Sequence, residues 1–182
     1  MRVSLSAEVH ARARRIRVLL FDVDGVLTDG GVIVHADGTE SKRFDIKDGA
    51  GIVMARRAGL TVGVLSARHS ASTQHRARQL GLDLVRQGVA DKGAALEELM
   101  DTYGWQCEDI AYMGDDVVDL SVLQRVGLAA CPSDAVAEVR AAAHVVSTRR
   151  GGHGAARALI EDILHAQGRW DPLVSSPVHE RP

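Results

Sequence analysis

Short, unbroken apolar runs alternate along this chain with segments of helical character, and that alternation restricts the fold more than any other feature. The first run, Val18-Leu19-Leu20-Phe21, stops at a carboxylate and reads as a strand buried on both faces. Further strands are expected over 60–65, 82–85, 110–113, 127–130 and 144–146. Helices are expected over 49–58, 70–80, 91–103, 117–124, 134–142 and 155–166, with Asp48 capping the first and Gly59, Gly81 and Gly104 following three of them. Parallel strands need crossovers, and helices supply them. The pattern therefore predicts an α/β fold, a Rossmann-like parallel sheet with helices on both faces. Aromatic residues make up only 3% of the 182 residues, so Ala, Val, Leu and Ile must fill the core.

Between the first strand and the first helix, Val32-Ile33-Val34-His35 and Glu40-Ser41-Lys42-Arg43-Phe44 flank an Asp37-Gly38 turn, the signature of a small β-hairpin. The expected organisation is a lead-in over 1–16, one domain over 17–168 with the hairpin insert at about 30–45, and a flexible tail over 169–182. Three of the four prolines fall in that tail.

A net charge of −2 gives no electrostatic reason to expect nucleic acid as a partner. No apolar run approaches the ~20 residues needed to cross a bilayer, so no membrane partner is expected. Cys107 and Cys131 lie far apart and form no CxxC pair, as in a reduced, cytoplasmic protein.

In open α/β sheets the ligand lies beyond the carboxyl ends of the strands. The polar residues that follow the expected strands are Asp22 and Asp24 after the first, Ser66 after the second, and Asp115, Asp116 and Asp119 after 110–113. Taken singly they have ordinary explanations: turn and cap residues, or first-turn acids favoured by the helix dipole. Taken together they form a carboxylate cluster that repels itself unless a cation offsets it. Oxygen ligands without His or Cys favour Mg2+, which commonly bridges a phosphate. Phosphoryl transfer then needs a nucleophile, charge neutralisation and an acid for the leaving oxygen. Asp22 suits the nucleophile and Asp24 the acid and base. Ser66 can donate to the phosphate, and Lys92, which opens a helix after Asp91, can supply positive charge.

These motifs resemble those of the haloacid dehalogenase superfamily of phosphatases: DVDGVLTDG at 22–30, Ser66 in VGVLSARHS, Lys92 in VADKG, and GDDVVD at 114–119. Asp48-Gly49 with Gly51-Ile52, the hairpin, GGHGAAR at 151–157 and AQG at 166–168 are similar to the 3-deoxy-D-manno-octulosonate 8-phosphate (KDO 8-phosphate) phosphatase family within it. The resemblance implies hydrolysis of a sugar-acid phosphate to KDO and phosphate, in lipopolysaccharide precursor synthesis. It implies no separate cap domain, and a homotetramer in which hairpins and neighbouring subunits close each site. It also implies that Asp22, the backbone carbonyl of Asp24, and Asp115 hold Mg2+, with Asp116 and Asp119 orienting metal waters and Lys92. Ser66 and Lys92 would bind the phosphate, Arg68 the sugar-acid carboxylate, and His153 would stand near the substrate. Two positions depart from the family pattern: Ala67 stands for a glycine and His153 for an arginine.

The bare apolar hairpin edge, Val32 to Val34, independently points to self-association. Related readings are a phosphatase for a nonulosonate 9-phosphate, a permissive sugar phosphatase, and a phosphotransferase using the same aspartyl phosphate. A reading of another class is a non-catalytic oligomerisation or binding module of the same fold.

Overall fold

A computed structural model describes residues 6–82 and 84–175. Strands β1 (Val18–Phe21), β4 (Thr61–Leu65), β5 (Leu84–Arg86), β6 (Ile110–Met113), β7 (Leu128–Cys131) and β8 (Val145–Val146) form one sheet in the order β5-β4-β1-β6-β7-β8. Every neighbouring pair in it is parallel. All four residues of β1 are buried, and they alternate between two cores. Leu19 and Phe21 join Ile52, Ala55, Leu159, Ile160 and Ile163 on one face, while Val18 and Leu20 join Leu96, Leu99 and Leu123 on the other. This two-sided burial explains why the run is unbroken rather than alternating. Helices α1 (Ala7–Arg15), α2 (Ile46–Arg57) and α7 (Ala155–Ala166) cover the first face. Helices α4 (Lys92–Tyr103), α5 (Leu120–Leu123) and α6 (Ala137–Ala142) cover the second, and α3 (Ala71–Gln79) links β4 to β5.

The insert is a two-stranded antiparallel hairpin, β2 (Ile33–Val34) with β3 (Glu40–Ser41). Thr28 bridges Phe44 just outside it, which fastens its base to the loop after β1.

Several boundaries differ from those expected. Helix α2 starts at Ile46 because Asp45, not Asp48, caps it: the Asp45 carboxylate accepts the Lys47 and Asp48 N–H groups at 2.6 and 3.1 Å. Asp48 is buried inside the first turn, and its carboxylate accepts the Gly154 and Arg157 N–H groups at 3.1 and 2.7 Å. It caps α7 from another element, since Gly154 at the start of α7 has no side chain to do so. Residues 117–124 divide into a 3-10 turn, Val117–Asp119, and the short α5.

The described segments 6–16 and 169–175 are tied to the domain. Ala13 and Ile16 lie in the core, and the Gln167 amide donates to the carbonyls of Ala13 and Ile16 at 3.1 and 2.7 Å. The expected loose tail over 169–182 is corrected at its start: Trp170–Ser175 forms a helix, α8, with Trp170 and Leu173 packed on the core. Trp170 also receives the Arg157 guanidinium over its ring at 5.1 Å. Residues 176–182 lie outside the described residues.

Candidate active site

β1 occupies the middle of the sheet, with Phe21 paired to Val64 of β4 on one side and to Met113 of β6 on the other. The chain therefore leaves all three strands at one level, and Asp22, Ser66 and Asp115 come to the same edge. The Asp22 N–H donates to the Met113 carbonyl at 3.0 Å, which continues the ladder one step past β1. Thr28, fully buried, orders the loop that follows. Its hydroxyl donates to the Val23 carbonyl at 3.3 Å and accepts the Gly25 and Gly30 N–H groups at 3.4 and 3.2 Å. Gly25 has a φ of +84°, and a Cβ there would stand 2.0 Å from Asp115 Oδ2. Only glycine lets the two loops approach so closely.

Carboxylate oxygens of Asp22, Asp115 and Asp119 lie within 4.8 Å of one another. The buried Lys92 ammonium sits among them, 2.9 Å from Asp22 Oδ1 and 2.6 Å from Asp119 Oδ1. Asp119 has no free oxygen. Its Oδ1 accepts Lys92 and the Tyr112 hydroxyl, and its Oδ2 accepts the Asp115 and Asp116 N–H groups at 2.9 and 3.2 Å. It is an anchor that fixes Lys92 and the 114–116 turn. Asp115 is the opposite case: its Oδ1 is buried and has no hydrogen-bond donor. Asp116 is a cap, accepting the Val117 N–H at 2.7 Å.

The charges bear this out. Burial, with the neighbouring charges of Asp22, Asp119 and Asp116, pushes the Asp115 carboxyl up to about 8. Burial raises Asp22 to about 6; Lys92 opposes that shift and Asp119 adds to it. Burial disfavours the Lys92 ammonium, but Asp22 and Asp119 outweigh it, and its pKa is raised. Ionised carboxylates this close need a counter-charge beyond one lysine. An unpaired, buried Asp115 oxygen facing Asp22, with oxygen donors only, fits a hard divalent cation such as Mg2+.

Ser66 is buried at the end of β4. Ala67 needs no unusual backbone, since no described non-glycine residue has positive φ. The methyl in place of glycine is therefore accommodated without strain. Arg68 reaches across to the hairpin, with Nη2 2.7 Å from Glu40 Oε2 and Nε 3.6 Å from Asp24 Oδ2. His153 is committed elsewhere. Its Nδ1 lies 2.8 Å from the Gly151 carbonyl and its Nε2 2.9 Å from Arg43 Nη2, while Arg43 also pairs with Asp29 at 2.8 Å. It fastens the 150–154 loop to the hairpin base.

Two neighbours of the site escaped the sequence reading. Tyr112 lies in β6 with its hydroxyl on Asp119, and a tyrosine inside an otherwise apolar strand signals a buried hydroxyl with a partner. Lys42 reaches Asp24 from the hairpin. The strand period of two puts 40, 42 and 44 on one face, and Phe44 packs on the core, so Lys42 had to point inward.

The haloacid dehalogenase-like hydrolase family matches residues 67–159. Across the longer chain, the 3-deoxy-D-manno-octulosonate 8-phosphate phosphatase of Yersinia pestis is 38% identical over 164 residues, 90% of this chain and 88% of that protein. The chain belongs to the haloacid dehalogenase-like hydrolases. The enzyme of the same name from Escherichia coli K12 is 36% identical over 92% of this chain and 89% of that protein. Among solved structures, the 3-deoxy-D-manno-octulosonate 8-phosphate phosphatase of Moraxella catarrhalis, in complex with magnesium ion, phosphate ion and KDO, superposes with a TM-score of 0.90. It is 34% identical, and the match covers 92% of this chain and 97% of that one.

Proposed function

We propose that this protein is a phosphatase that hydrolyses KDO 8-phosphate to KDO and phosphate through an aspartyl phosphate on Asp22. The observation that carries the reading is the pairing of Asp22 with Asp115 and Lys92 at the carboxyl edge of the sheet. The relatives aligned over nine-tenths of the chain supply the substrate.

Asp22, Asp115 and the Asp24 carbonyl would hold Mg2+, which when bound offsets negative charge on the phosphoryl oxygens and on the two carboxylates. Asp22 attacks phosphorus in line as the bond to the sugar oxygen breaks. Asp24 gives that oxygen its proton. Asp24 then takes a proton from water as the water oxygen attacks phosphorus, and the bond from Asp22 to phosphorus breaks. Ser66 and Lys92 bind the transferring phosphate, and Asp119 holds Lys92 in place. Arg68 would meet the carboxylate of the sugar acid; its exposure beside Asp24 supports that reading. For His153 the contacts with the Gly151 carbonyl and Arg43 support a role in shaping the rim rather than in gripping the sugar.

Among the described residues, no helix is long and apolar enough to cross a membrane. Both cysteines are free, which supports a cytoplasmic place for the protein. We infer a homotetramer assembled through the hairpin, where Ile33 and Val34 are 64% and 72% exposed. An open site needs a cover to exclude water, and a second copy of the chain can supply it. Residues 17–168 would then be the single catalytic domain, with no separate cap.

The test is phosphate release from a panel of sugar phosphates, with Mg2+ and with an EDTA control. The expected result is a clear preference for KDO 8-phosphate, abolished by EDTA. Preference for a nonulosonate 9-phosphate, or equal turnover of simple hexose phosphates, overturns the substrate assignment. Absence of any turnover overturns the enzyme reading in favour of a binding module.

A further inference from the structure

The side chain of Lys42 is 1% exposed, although it stands on a two-stranded hairpin outside the main sheet. Lysine is almost never buried unless paired. Its partner is Asp24: Nζ donates to Oδ2 at 2.9 Å and lies 2.8 Å from Oδ1. Glu40 Oε1, two residues back on the same face, is 3.8 Å from the same ammonium. Glu40 in turn holds Arg68. The four charges alternate in sign, from Asp24 through Lys42 and Glu40 to Arg68. A hairpin serving only as an adhesive surface needs its apolar strand, Ile33–Val34, not a desolvated ammonium carried 18 residues back to the loop after β1.

We propose that Lys42 is a positioning residue for Asp24: by touching both carboxyl oxygens from one side, it fixes the direction in which Asp24 exchanges its proton. The inference rests on the acid–base role given to Asp24 above. Without the ammonium only the Arg68 guanidinium, 3.6 Å from Oδ2, remains beside Asp24, and the side chain can turn about its Cα–Cβ bond, away from the leaving oxygen. Lys42 itself neither gains nor loses a proton in the reaction. One consequence is that seating of the hairpin and competence of the acid are a single structural state.

The test compares Lys42→Met and Lys42→Arg with the wild type, as the full chain with Mg2+. The substrates are p-nitrophenyl phosphate, whose nitrophenolate leaves without a proton, and the best alkyl phosphate of the sugar panel. For Lys42→Met, kcat on the alkyl phosphate should fall by about 10²-fold, the scale of general acid catalysis. Its KM and the first-turnover release of nitrophenolate should stay within about threefold, because binding and nucleophilic attack are untouched. Lys42→Arg should recover part of the loss. An equal fall with both leaving groups, or a loss explained by a changed oligomeric state in light scattering, overturns the proposal. Failure of the KDO 8-phosphate assignment shows separately, as a wild type that prefers another alkyl phosphate; the leaving-group contrast is then read on that one.

Discussion

The Lys92 ammonium lies 2.9 Å from the Asp22 carboxylate, with both groups almost fully buried. What holds it there is behind it: Asp119, wholly inaccessible, receives the same ammonium at 2.6 Å and is itself fixed by two backbone N–H groups. The helix start at Asp91, whose carboxylate accepts the Ala94 N–H at 3.0 Å, sets where Lys92 begins. Lys92 is thus positioned both by the Asp119 turn and by the start of its own helix.

Replacing that lysine should therefore damage the fold as well as the chemistry. Lys92→Met leaves Asp119 charged and buried without its cation, a change that costs about 3–5 kcal/mol. Chemical denaturation should show the loss, and phosphate release should vanish. Retained stability would mean that the Lys92–Asp119 pair does not hold the fold together.

Asp22→Asn has a different expected profile. It removes the attacking oxygen but relieves repulsion with Asp115 and Asp119. Turnover should fall by ~10³-fold or more, as when a covalent nucleophile is lost, while the melting temperature stays close to that of the wild type. Turnover near the wild-type level would remove the aspartyl phosphate from the mechanism.

The metal-free protein should be less stable at high pH within the neutral range. Burial raises Asp115 to about 8 and Asp22 to about 6, above their unfolded values near 3.8, so the native state holds more protons than the unfolded chain. The stability this contributes is fully present below pH 3.8 and is lost as pH rises through 6 and then 8. With EDTA, the melting temperature should drop between pH 5.5 and 8.5, by about 2–4 °C for each kcal/mol lost in a chain of this size. Mg2+ should restore it, and more strongly at the higher pH, where no proton competes. Asp115→Asn should flatten the pH dependence; an unchanged slope in that variant would place its origin elsewhere.

Charges on strand β2 of the hairpin should break up the inferred tetramer. Ile33→Lys with Val34→Glu puts polar groups where two exposed apolar side chains stand. Light scattering should report a smaller species, with reduced hydrolysis and an unchanged circular dichroism spectrum. An assembly of wild-type size would mean that another surface joins the copies.

The strands were legible because a run such as Ile110 to Met113, buried on every residue, has few other solutions. The convergence of Asp22, Ser66 and Asp115 was legible for a topological reason: ligands gather at the carboxyl ends of parallel strands wherever those residues stand in the sequence. Asp48 was misread because Asp45 and Asp48 are both acceptable caps on local grounds. Only the position of α7 decides which one turns inward. The contact of His153 with Arg43, 110 residues away, leaves no local trace in the sequence. Trp170 in the supposed tail carried a signal, since a large aromatic side chain in an aromatic-poor chain is more stable against a core than in water.

The carboxylate of Asp48 also bears on how the molecule is made. Its two N–H donors follow it by 106 and 109 residues. While the chain is still being synthesised, Asp48 has no partner and α7 has no start. The first half of the protein is thus left with an acidic group it cannot bury until Gly154 and Arg157 have left the ribosome. Final locking therefore waits for α7 to be made, and a chain interrupted before it is denied a settled interior.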